Sequence, residues 1–204
     1  MSQSVRHLQR ATRAGGRETR SRLLDGAAAL FLARGFADVA MTEIAAAADA
    51  FPSQISYYFK TKEALFVEAA CRELLHLGAR AEAAAGLAAD EASYSDALVD
   101  VVAASPVLAL MIEAMALARR RSDLTAMIAR TFERLAEEGK RAFAAERMRR
   151  GWDARGDAGA TSQRFWDLAF GISLRVGATG GAAALAISEM KKAMRVDAAR
   201  EAGA

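Results

Sequence analysis

Residues 42–66 read TEIAAAADAFPSQISYYFKTKEALF, and this stretch decides the fold. Thr42 stands where an N-cap is needed, with Glu43 in the first turn, where the helix dipole favours an acid. Ile44, Ala45 and Ala48 give a short helix one small apolar face. Asp49-Ala50-Phe51-Pro52 then breaks it. Asp tolerates a left-handed turn residue, and Pro, with no N–H to donate, suits the first position of a new helix. The second helix, about Pro52 to Phe59, places Ile55 and Phe59 one turn apart and inward, with Tyr58 beside them. At 100° per residue the opposite face carries Ser53, Tyr57 and Lys60, flanked by Gln54 and Ser56. That face is polar and aromatic and has no acid. Thr61 is placed to cap a third helix, with Lys62 in its first turn. Two short helices joined by a tight turn, the second with hydrogen-bonding side chains outward, fit a helix-turn-helix.

With the residues before it, this stretch resembles the DNA-binding signature of the TetR (tetracycline-repressor-like) transcriptional regulators. The resemblance is carried by Phe31, Gly35-Phe36, Thr42, Ile44-Ala45, Ala48, Tyr57-Tyr58-Phe59, Lys60, Lys62-Glu63 and Leu65, over roughly residues 18–66. Two departures stand out: Asp49-Ala50 replaces the Gly-Val of the turn, and Ser56 stands where many members have a Tyr. The resemblance implies an all-α fold: a three-helix helix-turn-helix domain over 18–66, preceded by a disordered basic arm over 1–17, and a larger helical regulatory and dimerisation domain over 67–204. It also implies a homodimeric, sequence-specific DNA-binding regulator, most often a repressor, released from a near-palindromic operator by a small hydrophobic ligand. The expected DNA contacts are Thr42, Ser53, Gln54, Ser56, Tyr57, Tyr58, Lys60 and Lys62. Lys62, Thr42 and Tyr57 would meet phosphate; Gln54, Ser53 and Ser56 would lie nearer base edges, where Gln is well shaped for adenine.

Charge supports the same half of the chain. Residues 1–62 hold nine Lys/Arg against five Asp/Glu, whereas the rest holds 19 against 20, so the excess behind the net +3 lies near the helix-turn-helix. Arg6, Arg10, Arg13, Arg17, Arg20 and Arg22 face only Glu18. Residues 1–16 have no helical periodicity and include Gly15-Gly16; such an arm either enters a groove of DNA or is a solvated tail. Leu23, Ala27, Leu30 and Phe31 recur at helical spacing through 18–34, and Gly35 closes that helix.

Downstream, Leu65, Phe66, Ala69, Ala70, Leu74 and Leu77 mark the buried stripe of a helix from Lys62 to about Ala85. A helix starting at Ser93 or Ser95 runs through Ala103. Ser105-Pro106 opens another that ends in Arg119-Arg120-Arg121, a run that is either a second basic patch or a cationic helix end. Ser122-Asp123 begins a helix to about Arg147. Residues 149–161 read as a loop, Thr161 or Ser162 caps a further helix, and a last one follows Gly177, Gly180 and Gly181, about Ala182 to Ala199. The Gly/Ala-rich run near 177–186 suits either close helix approach in a dimer or a flexible turn. With two prolines, 53% hydrophobic residues and no alternating β-branched runs, the composition is that of a helical globular protein.

The search for chemistry excludes several classes. His7, His76 and one cysteine, Cys71, make no zinc site, no Gly-rich phosphate loop follows a strand, and no nucleophile–base pair is evident. No cofactor is expected, and a helical enzyme with a coincidental motif is disfavoured. The lone Cys71 is consistent with a reducing cytoplasm, and with no 18-residue apolar run no membrane span is expected. Met111, Met115, Phe132, Phe165 and Trp166 are either core or the lining of a ligand pocket, with Glu113 the nearest counter-charge in sequence. Trp166, Phe170, Leu174, Leu185 and Met194 are candidates for a dimer interface. Control by a protein partner without a small ligand is the other regulatory reading.

Overall fold

A computed structural model describes the backbone of residues 2–152 and 157–202, and the side chains of 15–152 and 157–195. All regular elements among the described residues are helical, and the chain divides into two compact units, Met1–Ala70 and Cys71–Ala204.

The first unit holds α1 (Ser2–Arg34), α2 (Met41–Ala47), α3 (Pro52–Phe59) and the start of α4 (Lys62–Ala85). Its core is the set the periodicity singles out: Leu23, Leu24, Ala27 and Phe31 of α1, Ile44 and Ala45 of α2, Ile55 and Phe59 of α3, and Leu65 and Phe66 of α4. Phe66 receives Phe31 edge-on, with centroids 5.0 Å apart, and Phe36 at 4.8 Å. Each such aromatic pair contributes about 0.5–1.5 kcal/mol beyond its buried area. Gly35 turns the chain out of α1 at φ +78°, a left-handed position that favours glycine.

Two expectations for this unit are corrected. The arm expected to be disordered over 1–17 is helical from Ser2, as the first part of α1, and the Thr19 hydroxyl donates to the Gly15 carbonyl at 2.9 Å. The two glycines weaken a helix by about 1 kcal/mol each relative to Ala, without breaking it. Gly16 instead gives room at Tyr58, whose Oη would lie 3.3 Å from an added Cβ. The side chains of the remaining arm, with Arg6, Arg10 and Arg13, lie outside the described residues. Nor does Thr42 cap α2. The N-cap is Ala40, and Glu43 reaches back to its N–H at 2.7 Å, which is the acidic half of a capping box and leaves Thr42 exposed.

The second unit continues α4 and adds α5 (Glu91–Ala103), α6 (Val107–Ala118), a 3-10 turn (Ser122–Leu124), α7 (Thr125–Arg150), α8 (Ala158–Ala178) and α9 (Ala183–Ala202). α8 packs on α7, α9 and α6, and α9 on α5. Leu74, Leu77, Val99, Leu108, Met111, Ala169 and Met190 are buried between them, as is Cys71. Two helix ends differ from the sequence reading. Asp90 caps α5 by accepting from Ser93 N–H at 2.7 Å, so the helix starts before Ser93. The expected loop over 149–161 shrinks from both sides. α7 runs on to Arg150, whose guanidinium donates to the carbonyls of Gly86 (2.6 Å) and Ala88 and pairs with Glu146. Asp157, not Thr161 or Ser162, caps α8 through the Gly159 N–H. Residues 153–156 lie outside the described residues.

Candidate nucleic-acid interface and interior cavity

α3 is held from below and open above. Ile55 and Phe59 are buried, while Tyr57 is 80% exposed and Ser53, Ser56 and Lys60 are exposed with it. Two features fix the pose. Asp49 takes the left-handed conformation, φ 48°, that the turn from α2 requires. Arg20 of α1 lies over the Phe59 ring at 4.8 Å and pairs with Glu68 of α4 at 2.5 Å. α3 therefore presents a short ridge of hydroxyls, a phenol and an ammonium, with no acid on it.

Three of the eight candidate contacts are placed differently from the exposed five. Tyr58 is half-buried against α1 and packs edge-on to Tyr57 at 4.9 Å. Gln54 accepts the Phe51 N–H with its Oε1 at 2.9 Å, so the oxygen that a two-bond contact to adenine needs already caps the helix. The Lys62 ammonium donates to the Phe36 carbonyl at 2.5 Å and lies 4.3 Å from the centre of the Phe36 ring. Its remaining N–H bonds are still able to reach a phosphate, because an ammonium has three donors. Neither the Gln54 cap nor the Lys62–Phe36 contact was derivable from helical spacing, since both depend on where the turn places a backbone atom.

At the edge of this region Arg34 donates to Glu43 at 2.9 Å. That bond, with the Ala40 N–H, holds the Glu43 carboxyl below its ordinary value.

The second unit holds a small chamber of about 60 Å³, lined by Gly78, Ala81 and Glu82 of α4, Tyr94, Ser95 and Leu98 of α5, Leu135, Gly139 and Phe143 of α7, Thr161, Ser162, Phe165 and Trp166 of α8, and Met194 of α9. Ser95, Phe143, Thr161 and Met194 also line an outer basin of about 280 Å³, bordered by Glu91, Asp96, Arg147, Arg164 and Arg195. The two compartments thus adjoin, and together they reach the low end of small-molecule sites. Gly139 makes the α7–α8 approach possible: an added Cβ would sit 2.3 Å from Ser162 Oγ.

Of the five residues suspected of lining a pocket, Phe165 and Trp166 do so. Met111 is fully buried core on α6, and neither it nor Met115 or Phe132 reaches the cavity. Phe132 instead faces Phe170, at 5.5 Å. Glu113 is exposed on α6, and the acid at the chamber is Glu82. Burial is the main cause that pushes the Glu82 carboxyl above its ordinary value, with Glu138 adding to it and Arg141 opposing. Burial likewise raises the Tyr94 phenol to about 12.

The dimer candidates divide as well. Trp166 is 7% exposed and lies 3.7 Å from the position of a Cβ on Gly78, so it belongs to the interior, and Met194 lines the chamber. Phe170 is half-buried. Leu174 and Leu185 remain exposed, at 54% and 45%.

Residues 23–69 match the profile of bacterial regulatory proteins of the tetR family, and residues 91–195 that of a bacterial transcriptional repressor C-terminal domain. No curated protein matches. A crystal structure from Rhodococcus sp. RHA1, described as that of a transcriptional regulator, is 35% identical, with a TM-score of 0.77 over 88% of this chain and 94% of that one. The multidrug binding protein EbrR, complexed with imidazole, is 25% identical, with a TM-score of 0.55 over 85% of this chain and 88% of that one. A Saccharomonospora viridis structure, described as a transcriptional regulator in complex with choline, is 20% identical, with a TM-score of 0.58 over 87% and 94%.

Proposed function

This chain belongs to the TetR family of bacterial transcriptional regulators, and we propose that it works as a homodimeric repressor that a small ligand releases from a near-palindromic operator. The observation that carries the reading is the pairing of two features in one chain: the acid-free, outward ridge of α3 and the adjoining cavities between α4, α5, α7, α8 and α9. The first meets DNA. Ser53, Ser56 and Tyr57 project from α3, with Thr42 and Lys60 beside them and Lys62 at the start of α4. Gln54 and Tyr58 serve mainly to hold the helix. The second admits a ligand, as the neighbours bound to choline and imidazole do in their own structures.

α4 links the two. It is one helix from Lys62 to Ala85, with a phosphate-contacting residue at its start and Gly78, Ala81 and Glu82 on the chamber wall. A dimer reading two half-sites needs them about 34–36 Å apart, or a multiple of that spacing, so a ligand that favours a different α4 position weakens both contacts at once. A preference of about 3 kcal/mol corresponds to roughly 150-fold in operator affinity, the upper end of typical coupling. The domain limits that go with this reading are a basic arm through residue 17, a DNA-binding domain over 18–66 and a regulatory domain over 67–204. The setting is cytoplasmic; among the described residues no single helix is long and apolar enough to cross a membrane.

The test is fluorescence anisotropy with DNA fragments from upstream of the chain's own gene and its neighbours, followed by a compound screen on the complex. Tight, salt-dependent binding to one fragment that a cavity ligand reverses is the expected result. Failure to prefer any fragment over bulk DNA would sink the reading.

A further inference from the structure

The ligand chamber holds one acid and no base. Of its fourteen lining residues only Glu82 carries a formal charge near neutral pH, and four of the others are aromatic: Tyr94, Phe143, Phe165 and Trp166. Phe165 and Trp166 stand edge to face, centroids 5.3 Å apart, and Tyr94 and Phe143 lie 6.0 Å apart. Among the described residues no side chain gives Glu82 a hydrogen bond or an ion pair; the nearest electrostatic influences are Glu138 and Arg141 of α7. A carboxylate without a bonded side-chain partner in a pocket that four aromatic rings also line is an arrangement that a soft organic cation satisfies twice, by charge and by the ring quadrupoles.

Resting on the ligand-release reading above, we propose that the ligand class is a cationic organic amine or quaternary ammonium with an apolar or aromatic body, and that Glu82 is its counter-charge. In the outer basin Arg147 pairs with Glu91 at 3.5 Å and Arg195 with Asp96 at 2.6 Å, so those two acids already have partners and Glu82 is the acid left for a ligand. The small volume of the chamber argues for the orientation: the ammonium goes in beside Glu82 and the body remains in the outer basin. Met194, on the border of both compartments, is the flexible side chain that adapts to it.

Binding then carries a pH signature. Burial holds the Glu82 carboxyl above its ordinary value, and a cation beside it favours the carboxylate. Cation binding therefore releases a proton at pH values below the raised value, and affinity climbs with pH until Glu82 is fully ionised. The groups facing Glu82 are Glu138, held by Arg134 at 2.7 Å, Arg141, and the Tyr94 phenol; His76 lies in the shallow hollow on the outer side of Glu82. The profile is assigned to Glu82 by substitution.

The experiment is calorimetry of the full chain with benzyltrimethylammonium and, as neutral comparator, N,N-dimethylbenzamide, across pH, for the wild type, Glu82→Gln and Glu82→Asp. The ammonium is expected to lose about tenfold in affinity in Glu82→Gln, after allowing for the half-exposed position, while the amide is unchanged, which also reports an intact cavity. Glu82→Asp keeps a preference for the cation. The rise of ammonium affinity with pH disappears in Glu82→Gln. Equal affinities of Glu82→Gln and wild type for the ammonium, or no ammonium binding at millimolar concentration, overturn the proposal. Operator release is read separately. Ammonium binding through Glu82 that leaves operator affinity unchanged supports the ligand class and overturns the release mechanism, whereas release by the neutral amide, with no ammonium binding, does the reverse.

Discussion

The Lys62 ammonium sits on the Phe36 carbonyl at 2.5 Å and over the ring of the same residue at 4.3 Å. One side chain at the start of α4 thereby holds the start of the α1–α2 connection, in addition to any phosphate it meets. Lys62→Met keeps the stem and removes the charge. It is expected to lower stability by about 1–3 kcal/mol, as for a hydrogen bond from a charged group, and to lower the slope of log K against log salt for DNA binding by about one. Chemical denaturation reads the first and a salt titration the second. A changed stability with an unchanged slope assigns Lys62 to the fold alone.

Tyr57 and Ile55 separate function from folding on a single short helix. Tyr57 is 80% exposed and Ile55 fully buried. Tyr57→Ala should reduce operator affinity with a melting temperature close to wild type. Ile55→Ala should cost about 2–5 kcal/mol of stability and reduce DNA binding only by unfolding the domain. Melting curves alongside binding isotherms check both, and a Tyr57→Ala protein that binds the operator normally removes the phenol from the interface.

Much of this was legible in the residues. The inward pair Ile55/Phe59, the turn at Asp49, the closing glycine at 35, the Thr61 cap, which accepts from Ala64 N–H at 3.1 Å, and the limits of α4 all follow from helical spacing and from the backbone preferences of single residues. What spacing does not encode is which polar atom meets which backbone group. Glu43 rather than Thr42 serves the start of α2, Gln54 spends its oxygen on Phe51, and Asp157 starts α8 a turn early. The cavity was less legible still. Met111 and Trp166 are equally apolar in sequence, yet one is core and the other lines a chamber, because the gap arises where Gly78 and Gly139 let three helices approach without filling the space between them. The acid there, Glu82, carries no motif.

Acid should weaken the helix-turn-helix through Glu43. Its folded value lies below the ordinary 4.5, held there by Arg34 first and then by the Ala40 N–H. A depressed carboxylate stabilises the fold above the unfolded value and loses that contribution as pH falls through the folded one. Glu43→Gln therefore melts below the wild type at neutral pH, and the gap closes as pH falls from 4.5 through the folded value. Melting temperatures of the pair between neutral pH and pH 3 measure it; a gap that persists at the acid end contradicts the assignment.

Gly139 and Ser162 set the spacing of α7 and α8 beside the chamber. Gly139→Ala would bring a methyl to 2.3 Å from Ser162 Oγ and 3.3 Å from its Cβ. The first distance is a clash, and overpacking of this kind costs about 1–3 kcal/mol. Removing the hydroxyl leaves only the tight but tolerable second contact. Gly139→Ala alone is expected to destabilise, and Gly139→Ala with Ser162→Ala to recover most of the loss, a coupling that a double-mutant denaturation cycle reads directly. Additive effects would mean that the two helices adjust independently of this contact.

Assembly is where the exposed leucines matter. α8 buries Phe165, Trp166, Ala169 and Val176, and its opposite side shows Gln163, Asp167, Gly171 and Leu174 to solvent. Leu185, on α9, is exposed as well, and no side chain lies within 4 Å of a Cβ built on Gly171 or Gly177. Small residues beside exposed leucines allow two helix pairs to approach closely, so the proposed homodimer places this surface against its copy, with Phe170 at the edge and Trp166 and Met194 kept for the interior. A two-fold contact doubles the effect of any substitution, because each residue occurs twice in it. Leu174→Glu with Leu185→Glu should leave the helical content intact, shift sedimentation to a monomer at micromolar concentration, and reduce operator binding to that of a single half-site. If the double variant still sediments as a dimer, the interface lies on another face. If the wild type is itself a monomer with and without operator DNA, two-fold reading of a palindrome is not how this chain recognises its target.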